Sequence, residues 1–200
     1  MHLTVLFRAA LAITVLVAGL PARAQSAAAS GPAVTDADIR FMQEMLGHHQ
    51  QAIEMTALVR ERSRRPDLLL LAERISVSQT DEMAQMRRWL KAQGIGAAAA
   101  RSHDMSVHAG HSTGSDSTPM MPGMLTSMQM LALRSATGSR FDRLFLEGMI
   151  QHHGGALTMV KALLVMPGAA QQSAINHFVT EVDADQRAEI ARMRRLLSRR

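Results

Sequence analysis

The chain has 200 residues and a formal net charge of +5, a length that suits one ordinary domain with tails. It contains no cysteine, which excludes disulfides, thiolate zinc sites, cysteine nucleophiles and iron–sulfur clusters. Tyrosine is absent and aromatic residues make up 3% of the chain, so a β-sandwich or β-barrel is disfavoured and a helical fold is expected. The unusual residues are 16 methionines beside 9 histidines, and an account of function has to explain them.

Residues 1–24 have the pattern of a secretory signal peptide. Arg8 precedes an unbroken run of small and apolar residues, and the run is followed by an A-x-A cleavage site that ends at Ala24. The apolar run is short for a bilayer span, so a retained membrane anchor is the less favoured alternative. We therefore expect a periplasmic or secreted protein without stable membrane insertion after the signal is cleaved.

The rest of the chain is expected to start with a flexible leader over residues 25–34 and to continue as one helical domain over residues 35–198. Thr35 is the predicted N-cap of the first helix, because a threonine followed by aspartates in the first turn is typical of a helix start. The helical pattern then continues to about Arg64.

Pro66 is predicted to end the first helix, since proline cannot extend the backbone hydrogen-bond ladder. A second helix is expected over about 67–91, and Gly94 and Gly96 close it. These two helices form the first of two predicted repeats, residues 35–96.

Residues 97–125 are poor in core-forming residues and rich in serine, glycine, histidine and methionine, which is typical of a linker. A short extra helix is predicted over residues 126–138. Thr126 and Gln129 have the spacing of a capping box at its start, and Gly138 is predicted to stop it.

The second predicted repeat covers residues 139–198. Ser139 is expected to cap a third long helix over about 140–165. The Pro-Gly pair at 167–168 predicts the next break, and a fourth helix is expected over about 169–197.

The two repeats align with one another. Residues 41–59 align with 145–163, and residues 75–90 align with 182–197 in the same order. Two tandem αα-hairpins supply the four long helices of a bundle, so the sequence predicts an all-α four-helix bundle. The identical pairs include Phe41/Phe145, Met45/Met149, His48/His152, His49/His153, Ala52/Ala156, Met55/Met159, Gln79/Gln186, Glu82/Glu189 and Met86/Met193.

A repeated stripe of histidine and methionine bears on function. At about 100° per residue, the methionines and the His-His doublet of the first helix share an inward face, and the third helix repeats them. The second helix adds two methionines and the fourth adds one, because Ile190 occupies the remaining position. The candidate metal ligands of the bundle are Met45, His48, His49, Met55, Met83, Met86, Met149, His152, His153, Met159 and Met193.

Thioether and imidazole are neutral ligands of soft to intermediate character. They suit Cu(I) and, by the same softness, Ag(I), whereas Mg²⁺, Ca²⁺ and Mn²⁺ prefer oxygen. Imidazole also accepts Cu(II), Zn²⁺ and Ni²⁺. The competing interpretation is a metal-free protein in which methionine fills the core and the histidines are structural. Burying adjacent imidazoles costs free energy unless they are satisfied, so the repeated doublet favours metal binding, with either histidine of each pair as the ligand.

The linker carries a second, looser candidate site. Tracts rich in histidine and methionine recruit metals without a fixed geometry, and a solvated spacer of accidental composition is the alternative. Its candidate ligands are His103, Met105, His108, His111, Met120, Met121 and Met124. The basic C-terminal run is interpreted as a solvated helix face, and nucleic acid is not an expected partner.

Three stretches resemble the signature of the DUF305 family. They are FMQEMLGHHQQAIEMTALV at 41–59, FDRLFLEGMIQHHGGALTMVKALL at 141–164, and MPGMLTSMQMLALRSATGSRFDRLFLEGMI at 121–150. The resemblance implies a ferritin-like fold and a kinship with exported copper-binding proteins of the CopM type, which take up copper through methionine and histidine. Carried over to this chain, it implies the ligands Met45, His48, His49, Met55, Met149, His152, His153 and Met159.

The expected function is capture of Cu(I), and of Ag(I), for copper buffering, transport or resistance, with another copper-handling protein as a partner. One alternative is a metal-free helical module that presents methionines to a protein partner. Another is a metal-dependent enzyme of ferritin-like fold, whose di-iron chemistry needs Glu-x-x-His pairs. The sequence contains no Glu-x-x-His, so we expect no enzymatic activity and no catalytic residue.

Overall fold

A computed structural model describes residues 31–95 and 121–199 of the chain. All regular secondary structure in these residues is helical, which confirms the all-α prediction. The predicted signal peptide, most of the leader, Gly96 and the linker from 97 to 120 lie outside the described residues. Within these two ranges six helices follow in chain order: α1 (Asp36–Ala57), α2 (Val59–Arg62), α3 (Pro66–Ala92), α4 (Ser127–Ser135), α5 (Gly138–Leu164) and α6 (Ser173–Ser198).

Two predicted helix starts are confirmed by their side-chain hydrogen bonds. At the start of α1, Thr35 Oγ1 accepts from the Asp38 N–H while the Asp38 carboxylate accepts from the Thr35 N–H. Thr126 and Gln129 form the same capping box at the start of α4. The first helical region ends at Arg62, where Ser63 is already extended, so the helix stops before Pro66; Pro66 begins α3 at its first position, where a missing N–H costs no helical hydrogen bond.

Three predicted boundaries are wrong. The first helix does not run unbroken to residue 64, because Leu58 interrupts it between α1 and α2. Gly138 begins α5 instead of ending α4, which has already ended in extended backbone, and Ser139 lies inside α5. The predicted start of the fourth helix at 169 is a turn in which Ala170 has φ of 55° and donates its N–H to Asp38 at 2.7 Å. The predicted domain and repeat boundaries stay predictions.

The long helices pack in pairs: α1 on α3, α5 on α6, and α1 on α5. Two groups of buried apolar side chains, each drawn from all four long helices, fill the space between them. The Phe178 cluster includes Phe41, Met45, Met83, Met86, Met159 and Phe178, and the Phe145 cluster includes Met55, Ile75, Phe145, Met149 and Met193. None of the helices in the described ranges is long and apolar enough to cross a membrane.

The segment of residues 121–125 lies against α1 and α5 before α4 begins. Gln51 on α1 holds it with two hydrogen bonds, because its Nε2 donates to the Leu125 carbonyl (3.0 Å) and its Oε1 accepts from the Leu125 N–H (2.7 Å). On α5 the contact depends on glycine: a Cβ on Gly155 would lie 1.9 Å from the carbonyl oxygen of Pro122. This close approach places the Pro122 carbonyl within hydrogen-bond distance of His48 on α1.

Candidate metal centre

The two His-His doublets meet in the interior, where α1 packs on α5. His48 and His49 of α1 and His152 and His153 of α5 are all fully buried. The rings of His48 and His152 stack across the helix interface with centroids 3.8 Å apart and an interplanar angle of 36°. The ring centroids within each doublet are 6.4 Å and 6.2 Å apart. The structure therefore joins the two repeats in one histidine core.

Backbone carbonyls anchor the two stacked histidines. His48 Nε2 donates to the carbonyl of Pro122 (3.0 Å), and His152 Nε2 donates to the carbonyl of His48 (2.8 Å). Burial, followed by repulsion from a proton on His49, lowers the pKa of His48 to about 3. Burial, followed by repulsion from a proton on His48, lowers the pKa of His152 well below its usual range. Both rings are therefore neutral at physiological pH, with the proton on Nε2 because a carbonyl can only accept.

Carboxylates anchor the other two histidines. His49 Nε2 donates to the Glu82 carboxylate of α3, and His153 Nε2 donates to the Glu189 carboxylate of α6 at 2.5 Å. These two contacts are equivalent in the repeat, since both the histidines and the glutamates are identical pairs. Ser78 Oγ also donates to Glu82 at 3.2 Å, which fixes that carboxylate further.

The second ring nitrogen, Nδ1, is buried in all four histidines of the core and has no hydrogen-bond partner within residues 31–95 and 121–199. A neutral imidazole that carries its proton on Nε2 presents a lone pair at Nδ1. Buried polar atoms are normally paired, so four such atoms at repeated positions call for an explanation. A bound metal ion is one, because the imidazole lone pair is a common metal ligand.

All seven predicted methionine ligands are buried. Four of them lie in the Phe178 cluster and three in the Phe145 cluster. Each cluster takes methionines from both predicted repeats, because Met159 of α5 lies in the Phe178 cluster and Met55 of α1 lies in the Phe145 cluster. Ile190 lies in the Phe145 cluster, so that set has one thioether fewer. The Phe178 cluster contains Met45, Met83, Met86 and Met159, and the Phe145 cluster contains Met55, Met149 and Met193.

In the part of the chain that the structure describes, no group of three histidine, aspartate or glutamate side chains is placed to hold one metal ion. A metal ion held by these residues would therefore draw on methionine sulfur as well as imidazole. The linker candidates His103, Met105, His108, His111 and Met120 lie outside the described residues, whereas Met121 and Met124 are described and half-buried.

Sequence reasoning missed the groups that anchor the histidines. The identity of Glu82 and Glu189 in the two aligned segments was a sequence signal for their role, but they lie 33 and 36 residues from the histidines that they contact. No sequence signal pointed to the Pro122 carbonyl, because a backbone acceptor 74 residues from His48 is not visible in a local sequence pattern. Gln79 and Gln186, another identical pair, are buried one turn before the glutamates.

Comparison with known proteins identifies the family. The model of the domain of unknown function DUF305 matches residues 38–197. The chain belongs to the DUF305 family. Among solved structures, a DUF305 fragment from Deinococcus radiodurans is 28% identical with a TM-score of 0.68, and the match covers 84% of this chain and 100% of that one. A DUF305 protein from Streptomyces coelicolor is 27% identical with a TM-score of 0.65, over 81% and 92% of the two chains.

A copper-bound structure is also similar to this DUF305 chain. CopM in its Cu(II)-bound form is 26% identical with a TM-score of 0.60, and the match covers 80% of this chain and 95% of that one. CopM has also been solved with Cu(I) and with silver; those structures are 24% identical to this chain and support the fold alone. No functionally curated protein matches the sequence. The resemblance to DUF305 predicted from the motifs is confirmed.

Proposed function

We propose that this DUF305 protein captures Cu(I), and Ag(I) by the same chemistry, through methionine sulfur and imidazole Nδ1. The observation that carries the proposal is the set of four buried imidazoles, each bonded through Nε2 and each with an Nδ1 that meets no hydrogen-bond partner among the described residues. Copper is the cargo in this proposal, held for buffering, transport or resistance. The similarity to CopM, solved with Cu(II) bound, supports copper as the metal.

The donor set favours a soft monovalent ion. Thioethers and neutral imidazoles carry no charge and bind Cu(I) and Ag(I) better than they bind hard divalent cations. A buried cation needs nearby negative charge, and Glu82 and Glu189 supply two carboxylates next to the histidine core. Two monovalent ions would be balanced by these two carboxylates, whereas two divalent ions would leave excess positive charge in the interior.

We propose two half-sites that share the histidine core. The first combines His49 with the methionines of the Phe178 cluster, and the second combines His153 with those of the Phe145 cluster. His48 and His152 join the two. The proposed ligands are His49, Met45, Met83, Met86 and Met159 in the first half-site, His153, Met55, Met149 and Met193 in the second, and His48 and His152 between them.

We infer a ferritin-like four-helix bundle of two αα-hairpin repeats, which is supported by clusters that draw on all four long helices. We infer export by the signal peptide of residues 1–24; the DUF305 relative from Streptomyces coelicolor is described as secreted. The proposal contains no catalytic step, because the carboxylates that reach the histidines bind imidazole Nε2 and the sequence has no Glu-x-x-His.

The test is an anaerobic titration of the purified protein with Cu(I) against a competing chelator. The key variant changes His48, His49, His152 and His153 to glutamine, which keeps much of the volume and the hydrogen-bonding capacity. A second variant, Met45→Leu with Met149→Leu, removes one sulfur from each half-site while conserving core volume. We expect the histidine variant to lose tight binding and the methionine variant to bind more weakly than wild type.

The matched control is His177→Gln, because the His177 side chain is 75% exposed and pairs with Glu181 on the surface of α6 instead of with the buried histidines. It should bind as wild type does. Circular dichroism checks that each variant keeps its helices. Tight binding that survives in both core variants would move the site to the linker, and no binding by wild type would leave the metal-free interaction module as the function to pursue.

A further inference from the structure

Glu82 and Glu189 are the two acidic side chains that reach the buried histidines in the described residues. Their carboxylates contact Nε2 of His49 and of His153, and 9% and 17% of the glutamate side chains are exposed. Each glutamate is therefore mostly buried with its charge directed at an imidazole. The arrangement recurs in both repeats, although the sequences around it have diverged.

The hydrogen bond determines which ring nitrogen is available. A carboxylate only accepts, so the proton of a neutral ring must lie on Nε2, and the lone pair is then on Nδ1. A carboxylate behind a metal-binding histidine also orients the ring and raises the basicity of the ligand nitrogen. A neutral carbonyl, which is the partner of His48 and His152, orients the ring but contributes no charge.

We propose that Glu82 and Glu189 are positioning residues that hold His49 and His153 in the tautomer whose Nδ1 binds the cargo metal. The inference deepens the proposed function and rests on it. It assigns different roles within each doublet: His49 and His153 are the carboxylate-supported ligands, while the stacked His48 and His152 are supported by the backbone alone.

The two carboxylates are not held equally. Ser78 Oγ donates to the second oxygen of Glu82 at 3.2 Å. The position equivalent to Ser78 in the second repeat is Asp185, an acid whose pKa is raised by partial burial and by the charges of Glu82 and Glu189. An ionised aspartate cannot donate to Glu189, and among the described residues no hydrogen bond equivalent to that of Ser78 reaches this carboxylate. We therefore expect the Glu82–His49 pair to be the more rigid of the two.

The experiment combines two measurements on the full chain. Two-bond ¹H–¹⁵N spectra of the imidazole rings report the tautomer of each histidine without metal, and titration with Ag(I) reports affinity without redox chemistry. We expect His49 and His153 of the wild type to carry the proton on Nε2. In Glu82→Gln and Glu189→Gln, which keep the shape of the side chain, we expect Ag(I) affinity at the adjacent histidine to fall about 10- to 100-fold.

The control is Glu181→Gln, which removes a carboxylate of the same helix as Glu189 whose ion pair, within the described residues, is with the exposed His177. Its Ag(I) affinity should stay within about twofold of wild type, since exposed pairs contribute little. A proton on Nδ1 of His49 or His153 in the wild type would overturn the inference even if a variant failed to fold. Ag(I) binding that is unchanged in both core variants would overturn the inference while leaving the proposed function intact. No Ag(I) binding by wild type would overturn both.

Discussion

Gly155 is the position where one added methyl group should detach the 121–125 segment from the histidine core. A Cβ there would lie 1.9 Å from the Pro122 carbonyl oxygen and 2.6 Å from Gly123 Cα, and both are backbone atoms that cannot rotate away. In Gly155→Ala the segment must therefore move. His48 Nε2 then loses its acceptor, which lies 3.0 Å away in the wild-type protein.

Opposing contributions decide the free energy of unfolding of Gly155→Ala. Alanine in place of glycine inside a helix is favourable by about 1 kcal/mol. Leaving the buried N–H of His48 unpaired costs about 1–3 kcal/mol. Displacing the segment from a packed contact costs about 1–3 kcal/mol more. The unfavourable contributions outweigh the helix propensity, so we expect a net loss of about 3 kcal/mol.

The neighbouring glycine provides the matched control. A Cβ on Gly154 would meet no described atom within 4 Å. Gly154→Ala therefore gains the higher helix propensity of alanine without a clash and should stabilise the protein by about 1 kcal/mol. Urea unfolding followed by circular dichroism measures both variants without metal. The two substitutions should move the unfolding midpoint in opposite directions. If Gly155→Ala were as stable as Gly154→Ala, the close packing of the segment on α5 and its role in anchoring His48 would be refuted.

Two further predictions concern stability without metal. The pKa of His48 falls from 6.5 to about 3 on folding, so between these pH values the unfolded chain binds a proton at His48 and the folded chain does not. The free energy of unfolding is therefore highest above pH 6.5 and declines as the pH falls toward 3. The decline should approach about 1.4 kcal/mol per pH unit for this group, and His48→Gln should flatten it in urea titrations; equal slopes in both proteins would contradict the pKa. Asp38→Ala should cost about 3 kcal/mol because it removes the carboxylate that accepts from the Thr35 N–H in the capping box and from the Ala170 N–H, whereas a loss below about 1 kcal/mol would contradict a contribution from the buried Ala170 bond.

Residues close to one another in the sequence determined most of the secondary structure of this protein. Helix type, the caps at Thr35 and Thr126 and the break at Pro66 depend on residues within one turn, so they could be predicted from the chain itself. The inward face of α1 could be predicted for the same reason, because helical periodicity alone decides which side chains share a face. The burial of both His-His doublets follows that prediction.

Only the tertiary structure decided what those inward side chains meet. His48 stacks on His152 from 104 residues away, and Glu82 lies 33 residues from His49. The turn at Ala170, where a helix was predicted, forms around an aspartate 132 residues earlier in the chain. Periodicity indicates a direction from the helix axis but not the partner found there, because hydrogen bonds and packing contacts form between segments that folding brings together.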